Sequence, residues 1–152
     1  MKPFVVLLIV FALSVGATRI IEGEIDYSLS GRIAMAAMLL LTASGHFMFA
    51  KGMAAMIPRF IPFKKEIVLV TGIIEIVAAI GLLISKVQHL TAWLLILFFI
   101  LILPANINAA IKRIDYQKGT LDGPGLNYLW FRVPLQLFFI AWIYFFAIWL
   151  NK

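Results

Sequence analysis

The chain has 152 residues: 64% are hydrophobic, 13 are Lys or Arg, 7 are Asp or Glu, and none is Cys. Soluble domains run at about 45–50% apolar, so this excess excludes an ordinary globular domain, and the lack of cysteine excludes disulfides, thiol redox chemistry and thiolate metal sites. The net charge of +6 falls mostly between apolar stretches, which points to anionic lipid and control of topology and away from nucleic acid.

Phe4–Ile21, after Lys2 and Pro3, is the first apolar run. Two readings fit it. A secretory signal would use Lys2, the run Phe4–Leu13 and a small-residue site at Val15-Gly16-Ala17. A retained transmembrane helix would end near Arg19, and the length of the run favours this second reading. A polar loop, Glu22 to Arg32, follows. The second helix is expected from about Ile33 to Ala50. Its Ala34, Ala36, Ala37, Ala43, Ser44 and Gly45 are the small residues of helices that approach their neighbours closely.

Lys51–Lys65 reads as a connector. Pro58 and Pro62 prevent one long helix, and its basic residues alternate with Met53, Met56, Ile57, Phe60, Ile61 and Phe63. That pattern fits a segment lying among lipid headgroups, and equally a loop packed on the bundle. Helices are then expected over Glu66–Ile84, Leu90–Ile111 and Phe131–Leu150. The loop Lys112–Trp130 contains Gly119, Gly123, Pro124 and Gly125, which mark turns. No internal repeat is evident.

If all five helices cross, one face carries Lys2, Lys51, Arg59, Lys64, Lys65, Lys112, Arg113, Lys118 and Arg132. The other carries Arg19, Arg32, Lys86 and Lys152. The positive-inside rule then places the N-terminus in the cytoplasm and the C-terminus in the periplasm. Trp93 and Trp149 fall at the outer interface, and Tyr128 and Trp130 at the inner one.

Polar groups within hydrocarbon are costly and therefore informative. Glu75 lies about nine residues into its helix, ~13 Å deep, on one face with Val68, Gly72 and Ala79. It reads either as a carboxyl that pins helix packing or as one that handles protons or binds a ligand. His46 with Thr42, Asn106, and Gln136 with Arg132 one turn before it fall in the same half of the membrane. These five residues, Glu75, His46, Asn106, Gln136 and Arg132, are the candidate site, with Arg132 at its cytoplasmic mouth. A packing role for His46 is the competing reading. Pro104 removes the helical partner of the Ile100 carbonyl, just before Asn106. Asn108 points about 200° away from Asn106 around the helix. The two histidines, His46 and His89, fall toward opposite faces, which argues against a bis-histidine haem within one chain. No metal motif or nucleotide loop is present.

Four runs resemble the DoxX-like membrane proteins: Gly45-His46-Phe47 with Lys51; Thr71-Gly72-Ile73-Ile74-Glu75-Ile76 with Gly81-Leu82-Leu83-Ile84; Leu103-Pro104-Ala105-Asn106-Ile107; and Arg132-Val133-Pro134-Leu135-Gln136. The resemblance covers about Arg32 to Leu150. It implies an all-α fold, an integral membrane helical bundle in which a four-helix core over residues 32–150 carries an extra N-terminal helix over residues 4–21. Some DoxX-like proteins are named as subunits of a thiosulfate:quinone oxidoreductase. The first functional expectation is therefore an accessory subunit of a membrane redox system in the bacterial inner membrane. It would bind a quinone or other lipid at the candidate site, hold no intrinsic cofactor, and depend on a redox partner protein. The alternatives are a non-catalytic scaffold or lipid-binding protein, and a small transporter or proton pathway, which would require a homo-oligomer.

Overall fold

The computed structural model describes residues 2–151, and its regular structure is helical. Six α-helices follow one another: α1 (Lys2–Ile21), α2 (Tyr27–Met48), α3 (Ala50–Met56), α4 (Lys64–Gly81), α5 (Gln88–Ile111) and α6 (Leu129–Ile143). A short 3-10 turn, Leu126–Tyr128, leads into α6, which continues through a π-helical turn, Tyr144–Ile148, to a last 3-10 turn, Trp149–Asn151. Among the described residues, four helical stretches are long and apolar enough to cross a membrane: Lys2–Ile21, Tyr27–Met48, Gln88–Ile111 and Leu126–Asn151. The chain is a helical membrane protein.

The expectation of five such helices needs one qualification. α4 opens on Lys64, Lys65 and Glu66 and carries Glu75, and so does not qualify on composition alone. Its neighbours decide where it sits. His46 meets the Val68 carbonyl, and Arg32 meets the Leu82 carbonyl. The step from Arg32 to His46 on α2 equals that from Val68 to Leu82 on α4, about 21 Å along each axis. α4 therefore lies antiparallel to α2 through the same depth. α6 is likewise antiparallel to α5, with Asn106 bonded to Gln136 and Trp93 packed edge-on to Tyr144.

The bundle thus has two ends. At the Arg32 end lie the start of α2, the turn after α4, the start of α5 and the end of α6. At the His46 end lie the end of α2, α3, the start of α4, the end of α5 and the start of α6. α1 packs outside the rest. Leu7 enters the main core, and Phe4 and Phe11 meet Phe138 and Trp142 edge-on. The core proper is built from α2, α4, α5 and α6, with Met35, Met38, Leu39, Leu82, Leu95 and Ile143 fully enclosed.

Several boundaries differ from the sequence expectation. The second helix begins at Tyr27, six residues before Ile33. Asp26 caps it, accepting from the Leu29 amide at 2.8 Å. The polar run that reads as loop is put to use inside the helix: Ser28 donates to the Phe146 carbonyl, and Gly31 admits the Phe146 ring. α4 stops at Gly81, not Ile84, and a tight turn follows, with Gly81 packed on Thr91. The connector after α2 is helical over Ala50–Met56 before its prolines break it. Beyond that break Phe60 is 85% exposed, and Trp130, at the same end, is also 85% exposed.

Among the small residues expected at helix contacts, Gly72 lies against His46 and Phe47, where a Cβ would meet the His46 Cβ at 2.8 Å. Ala79 is in the core. Gly45 has room, with the Met53 Cε at an ordinary 3.6 Å.

Lys64 and Ser85 flank α4 at opposite ends. Because the chain has no cysteine, single cysteines at these positions can be labelled without background. In inside-out and right-side-out vesicles they are expected to react from opposite sides. Equal reactivity from one side contradicts a crossing α4.

Candidate functional site

The five candidate residues fall into two pairs and one neighbour. The first pair joins α2 and α4. Glu75 is 3% exposed, on the face of α4 that also buries Val68, Gly72 and Ala79. Its Oε1 lies 3.4 Å from the Nε2 of His46. The other ring nitrogen, Nδ1, is 3.0 Å from the Val68 carbonyl and 2.9 Å from the Thr71 hydroxyl. Thr71 in turn donates to the Val68 carbonyl at 2.8 Å. The absence of a side chain at Gly72 is what lets the imidazole lie this close to α4. The second carboxylate oxygen of Glu75, Oε2, is buried with no hydrogen-bond partner among the described residues.

The second pair joins α5 and α6. Asn106 donates to the Gln136 side-chain oxygen at 3.2 Å, and the Gln136 amide donates to the Phe99 carbonyl. Both residues are buried. Pro104 does not end α5. The backbone group that takes a side-chain donor in the preceding turn is Phe99, one residue before the Ile100 carbonyl that Pro104 deprives. Asn108 points elsewhere, donating to the Met56 carbonyl at the end of α3.

Arg132 lies beside the second pair. Its guanidinium sits 5.8 Å above the Tyr128 ring, a cation–π contact. With Asn106, Tyr116, Tyr128 and Asp115 it lines a cavity of about 260 Å³ at the His46 end. The lid of this cavity is the loop after α5. Gly52 of α3 lies against the Tyr116 carbonyl, and Gly123 lies against the Arg113 and Ile114 backbone. These contacts fold the loop back under the bundle. Among the described residues, Arg132 has no carboxylate partner at ion-pair distance. Asp115 pairs with Lys118 at 3.8 Å and accepts from the Gln117 and Lys118 amides.

No hydrogen bond among the described residues links Glu75 and His46 to Asn106, Gln136 or Arg132. The cavity takes Asn106 and Arg132, with Gln136 fixing Asn106 from behind. The Glu75–His46 pair is a separate buried arrangement.

Three groups escape the sequence reading. Tyr116 and Asp115 sit in the loop, and only the fold shows that it closes over α5. Thr71 is one turn from Glu75, a spacing visible in sequence. Arg32 reads as a loop residue but is buried in α2. It donates to the Leu82 carbonyl at 3.2 Å and to the Gln88 side chain. The signal for it is Asp26, an N-cap residue placed to start the helix earlier.

No curated protein and no solved structure matches the chain. Residues 35–147 match a family described as a domain of unknown function, DUF8561. The match takes in both polar pairs, Arg132 and the cavity, and leaves out α1. Since it spans well over half of the sequence, the chain belongs to the DUF8561 family.

Proposed function

We propose that this protein is a DoxX-like accessory subunit of a membrane redox system that binds a quinone, or another lipid with a polar ring or head, in the cavity at the His46 end. The observation that carries the reading is the cavity itself, polar and apolar walls together, with Arg132 and Asn106 on it. At about 260 Å³ it is slightly smaller than the ~300–1,000 Å³ of most small-molecule sites. That size suits a ring with its tail left in lipid. Arg132 supplies donors without an acceptor of their own, and Tyr116 and Tyr128 line the same cavity. A quinone carbonyl is an acceptor of the kind these groups lack. The four sequence runs shared with DoxX-like proteins support the same class. The electron carrier belongs to a redox partner protein, since the chain offers neither a thiol pair nor a bis-histidine haem site.

The proposal seats the protein in the bacterial inner membrane with its N-terminus in the cytoplasm and its C-terminus in the periplasm. Nine of its basic residues, those at the His46 end, then face the cytoplasm. A second reading, a non-catalytic scaffold, draws on the Asn106–Gln136–Phe99 clasp, which spends its polar groups on holding α5 to α6.

Arg132→Gln separates the two. The variant is expected to melt within a degree or two of the unsubstituted protein, because Arg132 is only half-buried. It is expected to bind a short-chain quinone at least about tenfold more weakly, on the scale of one lost charge-assisted hydrogen bond. Titration of purified protein in detergent with the quinone, followed by tryptophan fluorescence, measures this. Absence of binding by the unsubstituted protein, or equal binding by the variant, favours the scaffold.

A further inference from the structure

The Glu75–His46 pair lies outside the quinone cavity, and its geometry fixes a proton count. The Val68 carbonyl can only accept a hydrogen bond. Thr71 directs its own proton to that carbonyl, so the oxygen it turns toward His46 offers a lone pair. Both neighbours of Nδ1 are therefore acceptors, and Nδ1 carries a hydrogen. If the ring is neutral, Nε2 is then bare, and it faces Glu75 Oε1. A bare nitrogen against an ionised oxygen is repulsive, and both sit out of water. One further proton closes the contact, whether it rests on the carboxyl or on the ring.

We propose that Glu75 and His46 form a proton-binding site within the bilayer, holding one exchangeable proton between Oε1 and Nε2. Loading converts a carboxylate and a neutral imidazole into either a carboxylic acid with a neutral imidazole or a carboxylate with an imidazolium. One proton enters and nothing else changes. Burial of Glu75, together with the unpartnered Oε2, makes the unloaded state the costly one. His46, more exposed than the carboxyl, is the side from which the proton arrives.

Other charged groups on the packed elements stay away from the pair. Arg32 on α2 is engaged at the far end with Leu82 and Gln88. Lys51 on α3 and His89 on α5 are exposed. Lys64, Lys65 and Glu66 occupy the first turn of α4, more than two turns before Glu75. Arg132 at the start of α6 is turned to Tyr128 and the cavity. Among the described residues the only ionisable partner of Glu75 at ion-pair distance is His46.

The chain has only two histidines, so selective nitrogen-15 labelling of histidine in the full-length protein reads the pair directly. The exposed His89 serves as internal reference, and loss of its signals in His89→Gln assigns the spectrum. His46 is expected to keep its proton on Nδ1 throughout the folded range, and its Nε2 signal is expected to change in a single step as the shared proton enters the contact with Oε1. Glu75→Gln is expected to move that step while leaving the step of His89 unchanged. A neutral His46 protonated on Nε2 with Nδ1 bare overturns the proposal. So does a His46 step that stays in place in Glu75→Gln. The tautomer is read on the unsubstituted chain, so the proposal is decided even where that variant does not fold.

Discussion

Arg32→Met is expected to loosen the bundle by about 2–4 kcal/mol, the scale of breaking a buried, charge-assisted network. Arg32 reaches three structural elements from one position. Its Nη1 donates to the Leu82 carbonyl, at the end of α4, and to the Gln88 side chain, at the start of α5, while its Nε points back to the Ser28 carbonyl. A cation at the end of α4 also suits the partial negative charge of a helix C-terminus. Methionine fills much of the same volume but satisfies none of these acceptors. Leu82 lies in a turn that cannot rehydrate without opening, because its own side chain is in the core. Thermal denaturation in a mild detergent, followed by helical signal, is the measurement. Arg32→Lys is expected to lose less, since an ammonium keeps the charge and reaches one of the acceptors. A melting curve for Arg32→Met that overlays the unsubstituted protein refutes the clamp.

The second large effect is expected one residue earlier. A Cβ at Gly31 would lie 2.2 Å from the Cγ of Phe146 and 2.5 Å from its Cβ, so Gly31→Val forces α2 and α6 apart. The ring is hemmed in by other aromatic side chains. Phe11, Phe145 and Trp142 surround it with centroids at 5.1, 5.0 and 4.6 Å. The Gly31 carbonyl also accepts from the Trp142 indole at 3.0 Å, a bond that the same displacement breaks. Overpacking of a filled core usually costs about 1–3 kcal/mol, and the lost indole bond places this variant at or above the upper end. Gly31→Ala is expected to follow in the same direction with a smaller loss. The measurement is the midpoint of detergent-solubilised unfolding, followed by helical signal. Arg32 and Gly31 are neighbours, so a double variant is expected to lose less than the two single losses added together.

These two residues also show where sequence reading stops. The order of the five long helices follows from the apolar runs, although the short α3 does not, and Glu75 is conspicuous because a carboxyl in a run such as Ile73-Ile74-Glu75-Ile76 has to be sheltered. The small face of Gly72 and Ala79 beside it marks the direction of the shelter. The start of α2 is harder to read, because Ser28, Ser30, Gly31 and Arg32 have the composition of a loop. Only the neighbouring helices convert those residues into a clamp. The candidate site is similar. Helical spacing gives each polar residue a depth and a face, yet the partner of each depends on how far apart the helices stand. His46 and Glu75 meet because Gly72 brings α2 and α4 together. Asn106 meets Gln136, and the cavity beyond it exists because the loop after α5 folds back onto Gly52.

The lengths of α4 and α5 carry a consequence for the surrounding lipid. α4 has 18 residues and α5 has 24, which corresponds to ~27 Å and ~36 Å of axis. A hydrocarbon layer of ~30 Å is thicker than the first and thinner than the second. The bilayer must thin beside α4 or α5 must tilt, and each response carries a small cost per ångström of mismatch. Longer acyl chains worsen the fit at α4 and relieve it at α5. Membrane thickness therefore acts on the angle between these helices. Asn106 lies toward the far end of α5 and lines the cavity, so the same angle bears on the width of the cavity.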